Sequence, residues 1–300
     1  MTVVDGSELA ERLLRLRQHQ QEGQRSPHKP LLVLLALGKL AESGSSRLEW
    51  SEVESRLSDL LEEFGPPRKG GPKPEYPFTR LRSDLVWELS RDVPMDTAAP
   101  LRGAPISGQF VEPLENYFTK NVNEMYATAR ILVEQQFPTS IASDVLTTVG
   151  LDPGLIFSSG APPVPDELQR RRSSTWRHEI LQAWDRACAF CGFDGQAGGA
   201  PVGIEAAHVR WFNFGGPDDV DNGLALCSLH HKLLDRGVLG FRDSQTIVVS
   251  QTFSASSEEG RRLYELHLTS INPRPGTALP ASEHVEWHKR EVFKGIELAG

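Results

Sequence analysis

The sequence predicts an α+β fold in two domains: a mixed α/β domain in the N-terminal half and a small domain stapled by a metal ion in the C-terminal half. The chain has 300 residues, of which 39% are hydrophobic and 24% charged, a composition typical of globular protein and a length typical of two domains. All of its cysteines lie in the short stretch from Cys188 to Cys227, which predicts one shared purpose for them.

The domain boundaries follow from composition. Pro138 comes directly after a stretch with helical patterning, and residues 160–165 have the sequence Gly-Ala-Pro-Pro-Val-Pro, which is typical of a semi-rigid connector. We therefore expect a first domain at 1–137, a linker at 138–169 and a second domain at 170–300.

The first domain is expected to contain a buried helix near its start. The apolar run Leu31–Leu37 is too short to cross a membrane and is flanked by Lys29 and Lys39, so a buried helix fits it better. The sequence contains no apolar run of membrane-spanning length and no signal-peptide pattern. We therefore expect a cytoplasmic protein with no membrane partner.

Two pairs of metal-binding side chains lie in the C-terminal half. Cys188 and Cys191 form a CxxC pair, and Cys227 is followed by His230 and His231. Two such pairs are what a tetrahedral structural zinc site requires. On a helix, positions three and four residues after Cys227 lie near one face, so spacing alone leaves open which histidine binds zinc.

Between and beyond these pairs the chain resembles the HNH (ββα-metal) endonucleases. The matching segments are EAAH at 205–208, DNG at 221–223, LCSLHH at 226–231 and DRG at 235–237. The resemblance implies a zinc-stapled ββα-metal (HNH) nuclease domain, in which a β-hairpin and a helix hold one divalent metal ion against the scissile phosphate of DNA.

The resemblance also implies roles for single residues. His208 is expected to be the general base, Asn222 to support the metal site or orient the loop that carries His208, and His231 to be a metal ligand on the helix. The structural zinc is expected on Cys188, Cys191, Cys227 and His230, and the catalytic ion, Mg²⁺ or Mn²⁺, on Asn222 and His231.

These residue types suit phosphodiester hydrolysis. A neutral imidazole accepts a proton near pH 7, and a positioned base contributes roughly 10²–10⁴-fold in rate. Ala207 precedes His208 where some relatives carry a metal-binding acid, which leaves the full ligand set open, with Glu205 as a ligand or a supporting group. The alternative for the whole segment is a zinc finger that binds without cutting.

The charge pattern predicts selective binding to DNA. The net charge of −8 argues against indiscriminate binding, because affinity for duplex DNA depends largely on cations that face phosphates. Residues 68–82 nevertheless carry Arg or Lys at five positions, with Glu75 as the only acid. A local basic patch of this kind binds DNA even on an acidic protein.

The basic region is similar to the sulfur-binding domain of the McrA-like phosphorothioate-dependent (type IV) restriction endonucleases. The segments that carry the similarity are RSPHKP at 25–30, EYPFTRL at 75–81 and PISGQF at 105–110. In phosphorothioated DNA a sulfur atom replaces one non-bridging phosphate oxygen. The similarity, together with the nuclease motif, implies a DNA-reading domain for phosphorothioated duplex DNA in the first half of the chain.

The residue types support a pocket for sulfur. Sulfur is more polarizable and less strongly hydrated than oxygen, so an apolar pocket at Tyr76 and Pro77 favours it. The charge of the phosphorothioate and of neighbouring phosphates is then expected to meet Arg80, His28 and Lys29.

A second group is expected to contact the bases. A loop at Gly108 and Gln109 suits base edges, because glutamine pairs with adenine and glycine permits close approach. Arg102 is a further candidate for a guanine or a phosphate. Alternatively, the segment Tyr76–Phe78 is a turn followed by core aromatic residues.

Two functional alternatives differ in their substrate or in their activity. One is an HNH nuclease directed at methylated DNA, which would need a base-flipping pocket. The other is a modified-DNA-binding protein whose nuclease fold does not cut. Because each chain has one predicted active site, cleavage of both strands predicts a homodimer.

Overall fold

The computed structural model describes residues 5–16, 23–158, 174–271 and 273–299. The chain divides into two compact units. Among the described residues, the first unit contains 5–16 and 25–158, and the second contains 23–24 and everything from 174 onward. The Pro-rich connector predicted at 160–165 lies outside the described residues.

Helices dominate the first unit. They are α1 (Gly6–Leu14), α2 (His28–Ser43), α3 (Trp50–Phe64), α4 (Glu75–Arg80), α5 (Ala98–Arg102), α6 (Glu112–Lys120), α7 (Val122–Gln136), α8 (Thr139–Thr148) and α9 (Pro153–Ile156). The strands of this unit are β1 (Leu48–Glu49), β2 (Trp87–Leu89) and β3 (Ser107–Phe110).

α2 forms the centre of this unit. Every side chain from Leu31 to Leu37 is fully buried, and the helix packs against α3, α4 and α7. It ends at Gly44, whose φ of 75° is the left-handed conformation that closes many helices. The buried helix predicted from the apolar run is confirmed.

A three-stranded antiparallel sheet packs beside the helices, in the order β1-β3-β2. Leu48 pairs with Gly108, and Trp87 pairs with Phe110. Aromatic rings continue the core from one side of the sheet, each within 6.1 Å of the next between centroids: Trp50, Phe78, Trp87, Phe110 and Phe118. Phe78 and Trp87 are therefore core residues.

The segment after α7 differs from the predicted linker. Pro138 ends α7 but also immediately precedes α8, whose residues Ile141 and Val145 are buried. A Cβ on Gly38 of α2 would lie 1.9 Å from the carbonyl oxygen of Val149, so the end of α8 packs directly on α2. The first unit therefore continues to at least residue 158 instead of ending at 137.

The second unit is built from short hairpins and helices. Its strands are β4 (Gln196–Ala197), β5 (Ala200–Pro201), β6 (Ile204–His208), β7 (Gly223–Cys227), β8 (Leu239–Phe241) and β9 (Ile247–Val249). Its helices are α10 (Ser174–Ala183), α11 (Ser228–Asp235), α12 (Glu258–Arg261) and α13 (Ser282–Glu291).

The predicted ββα arrangement is present in this unit. β6 and β7 form an antiparallel hairpin in which Ile204 pairs with Cys227 and His208 pairs with Gly223. α11 follows β7 at once and packs against both strands. On the hairpin lies α10, an amphipathic helix with Trp176 and Ile180 buried. The predicted combination of a mixed domain and a ββα domain is confirmed.

Across the described ranges, no helix has the length and apolar character needed to cross a membrane.

Candidate active site and DNA-binding site

The expected zinc ligands converge at the base of the ββα hairpin. Cys188 and Cys191 lie in a turn closed by the Gly192 N–H donating to the Cys188 carbonyl, while Cys227 ends β7 and His230 lies in the first turn of α11. The four ligand atoms all lie within 4.8 Å of one another. Three thiols and one imidazole at this spacing fit a tetrahedral structural zinc ion.

Distances within the cluster identify the ligating nitrogen. His230 Nδ1 lies 3.4 Å from Cys188 Sγ and 3.3 Å from Cys227 Sγ. A hydrogen bond from the Cys227 thiol, acting against burial, and a further one from the His230 ring lower the pKa of the Cys188 thiol. The same hydrogen bond raises the pKa of Cys227, and burial raises that of Cys191, so the three thiols do not favour the zinc-binding thiolate form equally.

His231 faces a different set of partners, because neighbouring side chains on a helix are about 100° apart. Its Nδ1 lies 2.7 Å from Glu205 Oε2 on β6, and its Nε2 lies 3.2 Å from Asp235 Oδ2 one turn further along α11. Burial opposes the charged ring, but Asp235 and Glu205 outweigh it and raise the pKa of His231 to about 9. The structure thus groups His230 with the thiols and His231 with two carboxylates.

The group around His231 fits a hard divalent cation. An imidazole nitrogen and a carboxylate oxygen 2.7 Å apart become adjacent ligands when the proton between them is replaced by a metal ion. Asp235, whose side chain is 1% exposed, then accepts a hydrogen bond from the other ring nitrogen. Such a carboxylate commonly orients a metal-binding histidine. Glu205 is thus positioned beside His231, as expected for either a ligand or a supporting group.

His208 lies at the end of β6 in a closely packed setting. Its ring stacks on that of Trp176, with centroids 3.8 Å apart and planes 14° apart. Its Nε2 lies 2.8 Å from Asp218 Oδ1, and the residue is 8% exposed. Opposite His208, Gly223 has no room for a side chain, since a Cβ there would lie 2.1 Å from the Ile180 Cδ1. The imidazole orientation is thus fixed on two sides.

Asn222 organises the loop between β6 and β7. Its Oδ1 accepts from the backbone N–H of Arg210 at 2.8 Å, and its Nδ2 donates to the carbonyls of Arg210 and Pro217 at 3.1 and 3.0 Å. The residue is fully buried. Of the two expected roles, these contacts favour loop orientation over metal binding, because the amide is already committed to the backbone.

In the first unit, three cations surround the N-terminal end of α2. His28 Nε2 lies 3.1 Å from Arg68 Nη1. Burial and then the positive charges of Arg68, Arg25 and Arg80 lower the pKa of His28 to about 4. The ring is therefore neutral at pH 7 and accepts from Arg68. Lys29 forms an ion pair with Asp84 at 2.5 Å.

Tyr76, Pro77 and Arg80 lie on α4, next to this positive region. Pro77 is buried and Tyr76 is half-buried. The Arg80 guanidinium carbon lies 4.8 Å from the centre of the Tyr76 ring, and the guanidinium forms a two-point ion pair with Asp96. The structure brings the expected phosphate-binding and sulfur-binding groups together with Arg68 of the predicted basic patch, and Asp96 is an unforeseen addition.

The prediction of a base-contacting loop at Gly108 and Gln109 is wrong. Gly108 and Gln109 belong to β3, the central strand of the sheet, and Gly108 is buried. A Cβ at Gly108 would lie 2.5 Å from the Trp87 ring, so glycine is required there for packing. Gln109 donates across the sheet to Glu88 at 2.9 Å. Arg102 ends α5 as an exposed residue paired with Glu54 at 2.5 Å.

The sequence analysis assigned no role at the active site to Asp218, Asp235 or Trp176, although Asp235 begins the DRG segment at 235–237. Asp235 stands four residues after His231 on α11, a spacing that places two side chains on one helix face and was the available signal. Asp218 and Trp176 reach His208 only through the loop geometry and the packing of α10, for which the sequence carried no local signal.

Comparisons with known proteins agree with the division of the chain into two units. Residues 6–154 match the family model of the ScoMcrA-like DNA sulfur-binding domain, and residues 188–242 match that of the HNH endonuclease. No curated protein matches the chain.

Several solved structures share partial similarity. The sulfur-binding domain of SprMcrA, complexed with phosphorothioated DNA, is 19% identical, with a TM-score of 0.41 over 50% of this chain and 97% of that one. The corresponding ScoMcrA complex is 20% identical, with a TM-score of 0.41 over 47% and 97%. The modification-dependent TagI restriction endonuclease is 20% identical, with a TM-score of 0.33 over 42% and 43%.

The two matched models define the class of this protein: a nuclease in which a DNA sulfur-binding domain precedes an HNH endonuclease domain. The chain therefore combines a domain of the ScoMcrA-like DNA sulfur-binding family at 6–154 with an HNH endonuclease domain at 188–242.

Proposed function

We propose that this chain hydrolyses phosphodiester bonds of phosphorothioated DNA, with His208 as the general base. The observation that carries the proposal is the setting of His208, which is stacked on Trp176, bonded to Asp218 and located on the same strand as Glu205, the partner of His231 on α11. A buried imidazole whose orientation is fixed is what water activation requires.

In this proposal His208 takes a proton from the attacking water. The Asp218 carboxylate fixes the ring orientation and stabilises the imidazolium that forms, as carboxylates do for catalytic histidines. Asn222 holds the loop that contains Asp218 through its contacts to Arg210 and Pro217. A structural zinc ion on the Cys188 cluster ties β7 and α11 to the preceding turn.

His231 and Glu205 would hold the catalytic Mg²⁺ or Mn²⁺, with Asp235 orienting His231. When bound, such an ion polarises a phosphoryl oxygen and offsets the charge that develops on the leaving group. Glu205 is additionally held in place by Ser228, whose hydroxyl donates to it at 2.6 Å. In this proposal Glu205 takes the place of Asn222 as the second ligand beside His231.

Recognition of the modification is assigned to the first unit. Tyr76, with the buried Pro77 next to it on α4, offers apolar surface to sulfur; oxygen is more strongly hydrated and fits such a surface less well. Arg80, Arg68 and Lys29 supply charge for the phosphorothioate and its neighbours, and the low pKa of His28 keeps its ring neutral as an acceptor for Arg68. The match to a DNA sulfur-binding domain supports this assignment.

Two strands require two cuts, and each chain has one His208 site. We therefore propose that two chains act together on duplex DNA. The proposed place of action is the cytoplasm, where modified DNA would meet a restriction enzyme. Light scattering of the protein with and without a phosphorothioated duplex tests the dimer.

The decisive experiment incubates the protein and Mn²⁺ with two duplexes of identical sequence, one phosphorothioated. We expect cleavage of the modified duplex alone, and loss of cleavage with retained binding for His208→Ala. His178→Ala, an exposed histidine on α10, is the matched control and should cut normally. Equal cleavage of both duplexes would overturn sulfur recognition, preference for a methylated duplex would favour a methylation-directed nuclease, and binding without cleavage would indicate a non-cleaving reader.

A further inference from the structure

The ion pair between Arg80 and Asp96 has two well-oriented hydrogen bonds, which is unusual for a pair on the protein surface. Nε and Nη2 of Arg80 donate to the two carboxylate oxygens of Asp96, both at 2.6 Å. Two parallel hydrogen bonds of this kind fix the plane of the guanidinium as well as its position. That plane lies over the Tyr76 ring, 4.8 Å from its centre.

The backbone of Asp96 is fixed by the same helix that carries Arg80. Asp96 has a φ of 63°, in the left-handed region that side chains other than glycine seldom adopt. Its N–H donates to the Thr79 hydroxyl at 3.1 Å, and that hydroxyl donates to the Glu75 carbonyl at 2.7 Å. The carboxylate is thereby anchored to α4.

Stability alone does not account for this arrangement. The side chains of Arg80 and Asp96 are 47% and 35% exposed, and exposed ion pairs contribute little to stability. The left-handed backbone of Asp96 costs energy, and such costs are commonly found at binding sites. The pair is better explained by what it does to Arg80.

We propose that Asp96 is a specificity-determining residue of the DNA-binding site: it holds Arg80 over Tyr76 and offsets its charge, which weakens binding to unmodified DNA. This inference rests on the proposed recognition of phosphorothioate. A phosphate and a phosphorothioate carry the same charge, so a free cation does not favour the modified form.

Hydrogen bonding gives a second reason why pairing Arg80 with Asp96 favours modified over unmodified DNA. An uncommitted guanidinium donates more strongly to oxygen than to sulfur, so a free Arg80 would favour the unmodified backbone. With one N–H of Nε and one of Nη2 committed to Asp96, fewer donors remain for DNA, and the guanidinium stays over the Tyr76 ring. Affinity then depends more on contact between sulfur and apolar surface, which unmodified DNA lacks.

The neighbouring pair of Arg82 and Asp92 offers a matched control. Arg82 also donates to the carbonyls of Thr79 and Val93, at 3.0 and 2.8 Å, so backbone contacts hold it independently of its acid. Asp92 is 98% exposed. Asp92→Asn removes the same charge as Asp96→Asn from the same segment without releasing an arginine.

The test measures dissociation constants of the full chain for modified and unmodified duplexes at several salt concentrations, without added Mg²⁺ or Mn²⁺. For Asp96→Asn we expect affinity for unmodified DNA to rise about three- to tenfold at low salt, and the slope of log K against log salt to steepen by about 0.9. Affinity for modified DNA should rise less, so the preference for modified DNA falls by the ratio of the two rises. Asparagine tolerates the left-handed backbone, so folding is retained.

Arg80→Ala completes the experiment. In that background Asp96→Asn should change neither the preference nor the salt slope, because the released group is absent. An unchanged preference in Asp96→Asn, an equal effect of Asp92→Asn, or an effect that persists with Arg80→Ala would each overturn the role of Asp96. A wild-type protein that binds both duplexes equally would instead refute sulfur recognition itself, and this inference with it.

Discussion

Replacing Cys227 with serine tests the zinc site most directly. Cys227 ends β7 and immediately precedes α11, so its thiol is the donor that joins the hairpin to the helix. The remaining donors would be the Cys188–Cys191 turn and His230, whose Nδ1 lies 3.3 Å from the lost sulfur. Serine keeps the size but offers no thiolate.

The expected loss of folding free energy is as large as the whole stability of a domain. Structural zinc sites contribute on the order of 10–16 kcal/mol to folding, whereas whole domains are stable by about 5–15 kcal/mol. Tetrahedral zinc needs four donors, and Cys227→Ser leaves three within the 4.8 Å cluster. We therefore expect the second unit to unfold, while the first unit, with its own core around α2, stays folded.

The assay combines calorimetry with zinc analysis of the purified protein. Wild type should contain about one zinc per chain, and the variant should lose both the metal and the unfolding transition of the second unit. Leu229→Ala is the control, since this residue adjoins His230 on α11 but is 63% exposed. Retained zinc with an unchanged melting profile in Cys227→Ser would refute the assignment of this ligand.

Further predictions concern Asn222, Gly108 and His28. Asn222→Ala should cost about 1–3 kcal/mol of stability by leaving the Arg210 N–H without its acceptor, yet leave Mn²⁺ affinity by calorimetry unchanged; weakened Mn²⁺ binding would restore Asn222 as a ligand. Gly108→Ala should destabilise the first unit by about 1–3 kcal/mol through overlap with Trp87, without altering the DNA preference of the folded protein. The pKa of His28 falls from 6.5 to about 4 on folding, so its contribution is present above pH 6.5 and lost as pH falls toward 4. Thermal melts should show a smaller loss over that range for His28→Gln than for wild type, and equal losses would contradict the shifted pKa.

Motifs that lie close together in sequence predicted the nuclease half well. The segments EAAH, DNG and LCSLHH are contiguous, and a hairpin followed by a helix brings them together. The side chains that contact these residues could not be predicted from the sequence in the same way. Asp218 lies in a loop whose shape Asn222 determines, and Trp176 reaches His208 from α10. Such contacts depend on tertiary packing, which local spacing does not encode.

The misplaced loop at Gly108 shows a second limit. A glycine that frees the backbone for a turn and a glycine that admits a neighbouring ring look alike in sequence. Here the ring of Trp87 occupies the place of a side chain, and the segment is a central strand. Pro138 led to a wrong domain boundary for a similar reason: it follows the end of α7, but it also directly precedes α8 of the same unit.

Charge pairing across the first unit explains how an acidic protein can select DNA. Lys29, Arg80, Arg82 and Arg102 each form an ion pair with a carboxylate, in keeping with the net charge of −8. Arg68 differs, since its neighbour is the His28 ring, which a pKa of about 4 keeps neutral. Long-range attraction to phosphates is therefore weak, and the proposed DNA-binding site depends on short-range contacts at α4 and the start of α2. A site of that kind gains most from a local change in chemistry, such as one sulfur atom in place of oxygen.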